Sequence, residues 1–240
     1  MPKILALVPA AGQGTRIGES LPKQYLPLAG KPMLLHALGT LAAVGRIDAV
    51  IAILAPQDRH WAELARGTGR VEAMHAGGRL RGESVLNALE RLAGRAADDD
   101  WILVHDAARP CLERALVERF LDEVGDDPVG GLLALPVADT LKRAGPRSRV
   151  EATVPREGLW RAQTPQMFRY ALLRRALALS PQATDESQAI EALGHAPRLV
   201  RGEDANLKVT FAGDLALAEA ILLHRGGAAR EGAELRAVGS

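Results

Sequence analysis

The chain has 240 residues, 48% of them apolar and 25% charged, which is enough to bury one sizeable core in a single domain. Lys and Arg total 30 against 29 Asp and Glu, so a net charge of +1 creates no field that would select nucleic acid or a membrane surface. Aromatic residues make up 3%, too few rings for a base-stacking platform, and the RNA and single-strand binders drop out as a class.

The first residues carry one lysine and a short apolar run that stops at Pro9, without an export pattern, and no later run has membrane-spanning length. Ile4–Val8 is predicted as a buried strand. It runs into Val8-Pro-Ala-Ala-Gly-Gln-Gly-Thr-Arg-Ile-Gly18, where Gly12 and Gly14 let the backbone approach a ligand and expose N–H groups to an anion. Taken alone, a strand followed by G-x-G fits a nucleotide loop and an ordinary tight turn equally well. A P-loop would need G-x-x-x-x-G-K-[ST], which is absent. A dinucleotide fingerprint would need G-x-G-x-x-G and a later acid, whereas the third glycine is Gly18 and residues 31–35 carry no acid. Arg16 adds a planar cation, and Lys23 follows in Leu21-Pro-Lys-Gln-Tyr-Leu26.

A helix is predicted over Met33–Val44, a strand over Ala49–Leu54, a helix over Ser84–Leu92 and a strand over Ile102–Val104. Continuous apolar strands alternating with helical periodicity predict a Rossmann-like α/β fold: a mostly parallel sheet with helices on both faces and function at the strands' carboxyl ends. The third of these strands ends in Val104-His-Asp-Ala-Ala-Arg-Pro-Cys111, which brings Asp106, Ala107 and Arg109 to that edge. Asp106 could cap the next turn and Ser84 could N-cap its helix, readings compatible with ligand contact. Cys111, the one cysteine, is read as a small packed residue, and a reducing, cytoplasmic setting is expected. His105 is expected to face away from Asp106, as a packed or supporting residue. The six histidines show no zinc spacing.

The alternation breaks between Pro136 and Trp160, where turn-prone, basic residues predict a protruding β-hairpin arm over about 137–156. Helices over Arg169–Leu179 and Glu186–Leu193, a strand over Leu207–Phe211 and a helix over Leu215–His224 complete a single domain, residues 1–225. Residues 226–240 are expected as a flexible tail.

The run A-A-G-x-G-T-R followed by P-K-Q resembles the signature of the sugar-phosphate nucleotidyltransferases. Val104–Cys111 and Ala76-Gly-Gly-x-x-Arg-x-x-Ser-Val85 are similar to the 2-C-methyl-D-erythritol 4-phosphate cytidylyltransferases. Further matches are Asp139-Thr140, Arg156, Gln163-Thr-Pro-Gln166, Thr184-Asp-Glu-Ser187 and Asn206-Leu-Lys208-Val-Thr210, so the resemblance extends from Lys3 to about Leu222. It implies attack by a substrate phosphate oxygen on the α-phosphorus of CTP, with pyrophosphate leaving. Arg16 and Lys23 would stabilise the transition state. Ala10, Ala11, Gly12, Gly14, Thr15, Gly78, Ser84, Asp106 and Ala107 would bind CTP, while Asp106, Arg109, Thr140, Arg156, Thr184 and Lys208 would bind the alcohol phosphate. That chemistry calls for a divalent ion, magnesium by preference, for which Asp106 is the one candidate ligand. The resemblance supplies a partner for the arm in a homodimer, and a chain of 240 residues is expected to be monofunctional. Departures from the family pattern are Arg79 and Leu80 after the paired glycines, Pro155 before Arg156, and Ala212-Gly213 at the last helix. Transfer to another alcohol phosphate such as ribitol 5-phosphate, a catalytically silent regulator and a dinucleotide oxidoreductase are the competing readings.

Overall fold

The computed structural model describes residues 1–12, 21–65 and 68–238, with side chains through Gly226. Gly14, Thr15 and Arg16 lie outside the described residues. The first strand, β1 (Ile4–Pro9), is followed by a two-residue ladder, β2 (Pro27–Leu28) with β3 (Lys31–Pro32), and then by α1 (Met33–Ala42), β4 (Ala49–Ile53), α2 (Trp61–Leu64), β5 (Val71–Met74) and α3 (Arg81–Arg91). The second half holds β6 (Trp101–Val104), α4 (Arg114–Val124), β7 (Gly130–Pro136), the arm strands β8 (Leu141–Ala144) and β9 (Val150–Val154), and β10 (Trp160–Arg169). It closes with α5 (Tyr170–Leu179), α6 (Glu186–Ala192), β11 (Arg198–Arg201) and α7 (Ala212–Val238).

Seven strands form the central sheet in the order β11-β7-β10-β6-β1-β4-β5. β1 pairs in parallel with β4 and β6, β4 with β5, and β7 with β11, while β10 runs antiparallel between β6 and β7. The predicted α/β architecture is therefore the one observed.

The continuous apolar strands follow from double coverage. On β1, Ile4, Ala6 and Val8 enter one core with α1 and α4, and Leu5 and Leu7 enter the other with α3, α5 and α6. Trp101 and Leu103 against Ile102 and Val104 repeat the alternation on β6. A polar residue at any of these positions would be buried on one face or the other.

Several elements differ from expectation. α3 begins at Arg81, one turn earlier than predicted, and Ser84 is not its N-cap. Glu83 does that work, accepting the backbone N–H of Arg79 at 2.8 Å and of Leu80 at 3.3 Å. The strand expected over Leu207–Phe211 is irregular chain, tied down by the Val209 N–H donating to the Ala108 carbonyl at 2.8 Å. The edge strand lies earlier, at β11. At the last helix, Asp214 accepts from the N–H groups of Thr210 and Phe211, both at 2.8 Å, and so supplies the cap that Ala212-Gly213 cannot. That helix keeps helical backbone to Val238, through residues expected as a flexible tail.

The arm is observed as a separate antiparallel pair, β8 with β9, joined through a turn at Pro146–Ser148. Pro155 follows the last residue of β9, where no ladder N–H is required.

Candidate active site

Ala10–Gly12 leave the carboxyl end of β1, and two packing devices hold them. The Gln24 carboxamide, buried, donates to the Ala10 carbonyl at 2.7 Å. Gly77 lies so close beneath the loop that a Cβ there would sit 2.4 Å from Ala11 Cβ and 2.9 Å from the Leu54 carbonyl oxygen. Only glycine admits that approach. The neighbouring Gly78 N–H donates to Ser84 Oγ at 2.9 Å, and the hydroxyl donates onward to the Leu80 carbonyl at 3.0 Å. The Lys23 ammonium donates to the Val209 carbonyl at 2.7 Å, which brings the irregular 207–210 segment across to the glycine-rich side.

These groups wall a cavity of about 270 Å³ that Ala10, Ala11, Gly12, Lys23, Gly78, Ser84, Asp106, Ala107 and Lys208 line together. A smaller cavity of about 130 Å³, lined by Arg109, Gln163, Thr164, Thr184 and Asp185, shares Arg81, Asp106 and Lys208 with it. The two hollows therefore meet at one carboxylate. Asp106 Oδ1 accepts from Arg81 Nε at 2.9 Å, Oδ2 accepts from Lys208 Nζ at 2.8 Å, and Arg109 Nε stands 3.8 Å from Oδ2.

Burial alone would raise the Asp106 carboxyl pKa, but Arg81 first, then Lys208 and Arg109, outweigh it and hold the group well below the usual carboxylate range. Arg109 is itself fixed, donating to the carbonyls of Asn206 at 2.7 Å and Ala162 at 3.2 Å.

Behind Asp106 stands His105, fully buried. Its Nδ1 lies 3.0 Å from Thr164 Oγ1 and its Nε2 3.1 Å from the Arg109 carbonyl. The Asp106 N–H donates to the same Thr164 hydroxyl at 3.0 Å. One assignment satisfies all three contacts: a neutral imidazole with the proton on Nε2, accepting from Thr164 at Nδ1. Burial drives the His105 pKa down to about 4, which agrees with the neutral ring. His105 thus supports the Asp106 backbone and is not itself presented to a ligand.

The structure does not bring every predicted residue into these cavities. Thr140 and Arg156 sit exposed on and beside the arm, and the Arg156 guanidinium, after β9, donates to the carbonyl of Ala138, which precedes β8. Neither lines either cavity.

The expected role of Asp106 as a magnesium ligand does not fit its surroundings. Both its oxygens are engaged by cations, and the described residues contain no cluster of three or more His, Cys, Asp or Glu side chains that could hold a metal. Arg81, Gln24, Gly77 and Thr164 stand inside the quoted motifs but were given no individual role from the sequence. The structure places Arg81 in the first turn of α3, where the dipole disfavours a cation.

The family model described as 2-C-methyl-D-erythritol 4-phosphate cytidylyltransferase matches residues 4–224. The chain belongs to this family. It is 54% identical over 230 residues to the 2-C-methyl-D-erythritol 4-phosphate cytidylyltransferase of Dechloromonas aromatica, covering 94% of this chain and 100% of that one. The Nitrosomonas eutropha protein of the same description is 55% identical, covering 94% and 99%. Among solved structures, a 4-diphosphocytidyl-2C-methyl-D-erythritol synthase superposes with a TM-score of 0.84 at 40% identity, covering 92% of this chain and 99% of that one. The Thermus thermophilus cytidylyltransferase gives 0.74 at 34% identity, covering 91% and 98%. The chain is thus a cytidylyltransferase, a nucleotidyltransferase by class. Among the described residues no helix is long and apolar enough to cross a membrane.

Proposed function

We propose that the larger cavity receives CTP and the smaller one the phosphate of 2-C-methyl-D-erythritol 4-phosphate, in the cytidylyl transfer of non-mevalonate isoprenoid synthesis. The observation that carries this division is the shared wall: Asp106, Arg81 and Lys208 border both hollows, so two anionic substrates would meet there. A phosphate oxygen of the alcohol substrate attacks the α-phosphorus of CTP, the bond to the bridging oxygen breaks, and pyrophosphate carries away the electron pair. The attacking oxygen is already ionised near neutral pH, so no protein nucleophile is needed. What the protein must supply is alignment and positive charge where negative charge develops.

In this reading, backbone N–H groups of the glycine-rich turn with Lys23 and Arg16 cradle the triphosphate. Gly78 and Ser84 face the base, and Asp106 and Ala107 face the ribose. Lys208, Arg109 and Thr184 hold the second phosphate. Magnesium enters the proposal as a companion of the CTP phosphates and not as an ion held by protein ligands.

Thr140 and Arg156 complete the second subsite from a partner copy. Their arm stands off the sheet as a two-stranded ladder with Val150 65% exposed, and an isolated hairpin of this kind needs a surface to pack on. Two-fold pairing is the simplest closed arrangement. A cytoplasmic location is proposed with it, in keeping with a single, buried cysteine.

Pyrophosphate release with CTP, comparing methylerythritol phosphate and ribitol 5-phosphate at steady state, tests the substrate assignment. A kcat/KM at least tenfold higher for methylerythritol phosphate is expected, and parity would defeat it.

A further inference from the structure

Glu186 has no role in the transfer just described, yet it is 0% exposed beside the site. Its Oε1 accepts from Arg81 Nη1 at 2.7 Å, and the Arg81 Nε reaches on to Asp106 at 2.9 Å. One guanidinium on α3 therefore bridges an acid on α6 and the carboxylate shared by the two cavities. Burial pushes the pKa of Glu186 above the ordinary carboxylate value, and Arg81 is the chief group opposing that rise.

Stability does not account for such a pair. Desolvating two charges costs about as much as their attraction returns, and apolar residues of similar volume commonly do as well or better. What apolar residues could not do is hold a cation in place. Asp106 has a second close partner, the Lys208 ammonium at 2.8 Å, but Lys208 is 47% exposed and faces both hollows. A phosphate entering the smaller cavity competes with Asp106 for that ammonium. Once Lys208 turns to the phosphate, Asp106 needs a cation that does not follow.

We infer that Glu186 is a positioning residue, anchoring Arg81 against Asp106 so that the carboxylate keeps its charge and place when Lys208 is drawn to the substrate phosphate. The inference rests on assigning Lys208 to the alcohol phosphate. Misplacing the group shared by both substrates should damage alignment more than affinity.

The test uses the intact enzyme with Glu186→Gln, Glu186→Leu, the pair Arg81→Met/Glu186→Leu, and Lys208→Ala. The paired apolar variant is expected to keep a denaturation midpoint at or above wild type while kcat falls about tenfold or more. Equilibrium CTP affinity should change by less than about threefold. Glu186→Gln keeps an acceptor for Arg81 without the charge, and its kcat should fall between wild type and Glu186→Leu. The inference is overturned if the stable paired variant keeps wild-type kcat, or if the loss of rate in every Glu186 variant only follows loss of folded protein. Lys208→Ala separates this from the underlying assignment: it should raise KM for methylerythritol phosphate. An unchanged KM would remove the assignment, and the inference with it.

Discussion

Cations gathered around one acid set the electrostatics at the scale of single residues. Lys23 is anchored on the Val209 carbonyl, a contact that holds its ammonium at the edge of the larger cavity. Charge held ready for a transition state is expected to appear in kcat. Lys23→Ala and Arg16→Ala should each lower kcat by about 10²-fold with the fold intact by circular dichroism. Lys23→Arg should restore little, because a planar fork cannot sit where a compact ammonium does. A near wild-type kcat in either alanine variant would remove the transition-state role. His105 gives a second expectation, read through stability. Its folded pKa of about 4 lies below the ordinary value of 6.5, so the unfolded chain takes up a proton between those limits that the folded chain refuses. The contribution of neutral His105 is complete above pH 6.5 and is lost as pH falls towards 4. Urea midpoints measured from pH 7 to pH 4.5 should decline over that window, and His105→Asn should flatten the decline.

Among the elements, the turn after β5 and the arm carry the clearest consequences. Gly77 sets the distance between the loops that follow β1 and β5, and an added methyl would meet Ala11 and the Leu54 carbonyl. Gly77→Ala should cost about 1–3 kcal/mol by overpacking. Because the displaced loop walls the cavity proposed for CTP, CTP binding measured by calorimetry should weaken with it. Full CTP affinity in a folded Gly77→Ala protein would mean that the loop's position is not held here. The arm presents Thr140 and Arg156 to solvent and not to the cavities of its own chain. Arg156→Ala should therefore raise KM for methylerythritol phosphate about tenfold or more, while CTP affinity with magnesium changes little.

The whole molecule is a sheet covered on both faces, with the two cavities that share Asp106 lying where β1 and β6 end. On one side of that point the chain crosses from β1 to β4, and on the other side lies β6, an arrangement that opens a crevice between neighbouring strand ends. The arm leaves from the far half of the sheet, after β7, and returns into β10. If a second copy supplies Arg156, deletion of residues 142–149 with a short turn should shift the protein towards monomer in sedimentation velocity and reduce activity. An intact protein that sediments as a stable monomer at micromolar concentration with full activity would return the arm to the role of a surface loop.

From the sequence alone, β1, β4, β6 and helices α1, α3, α5 and α6 were legible, because strands buried on both faces must be apolar throughout and helices must keep their 3.6-residue period, whereas α2 and α4 were not read. Gly12 and Asp106 drew attention by their place at a strand's end, while Lys23 and Lys208 entered through the family resemblance, and all four line the larger cavity. β10 was not read as a strand, since Pro165 and three polar residues interrupt it, and the sheet accommodates them in a register shift between Ala162 and Gln166. Residues 207–210 carry a strand-like apolar pattern, yet they cross to Ala108 and Lys23 without joining the sheet. Tertiary structure alone decided that Arg81, from a helix start, would lie between Asp106 and Glu186, 105 positions from its own place in the chain. The reason is physical: local sequence fixes what a segment can form, but which buried charges meet depends on how helices α3 and α6 pack against the same sheet.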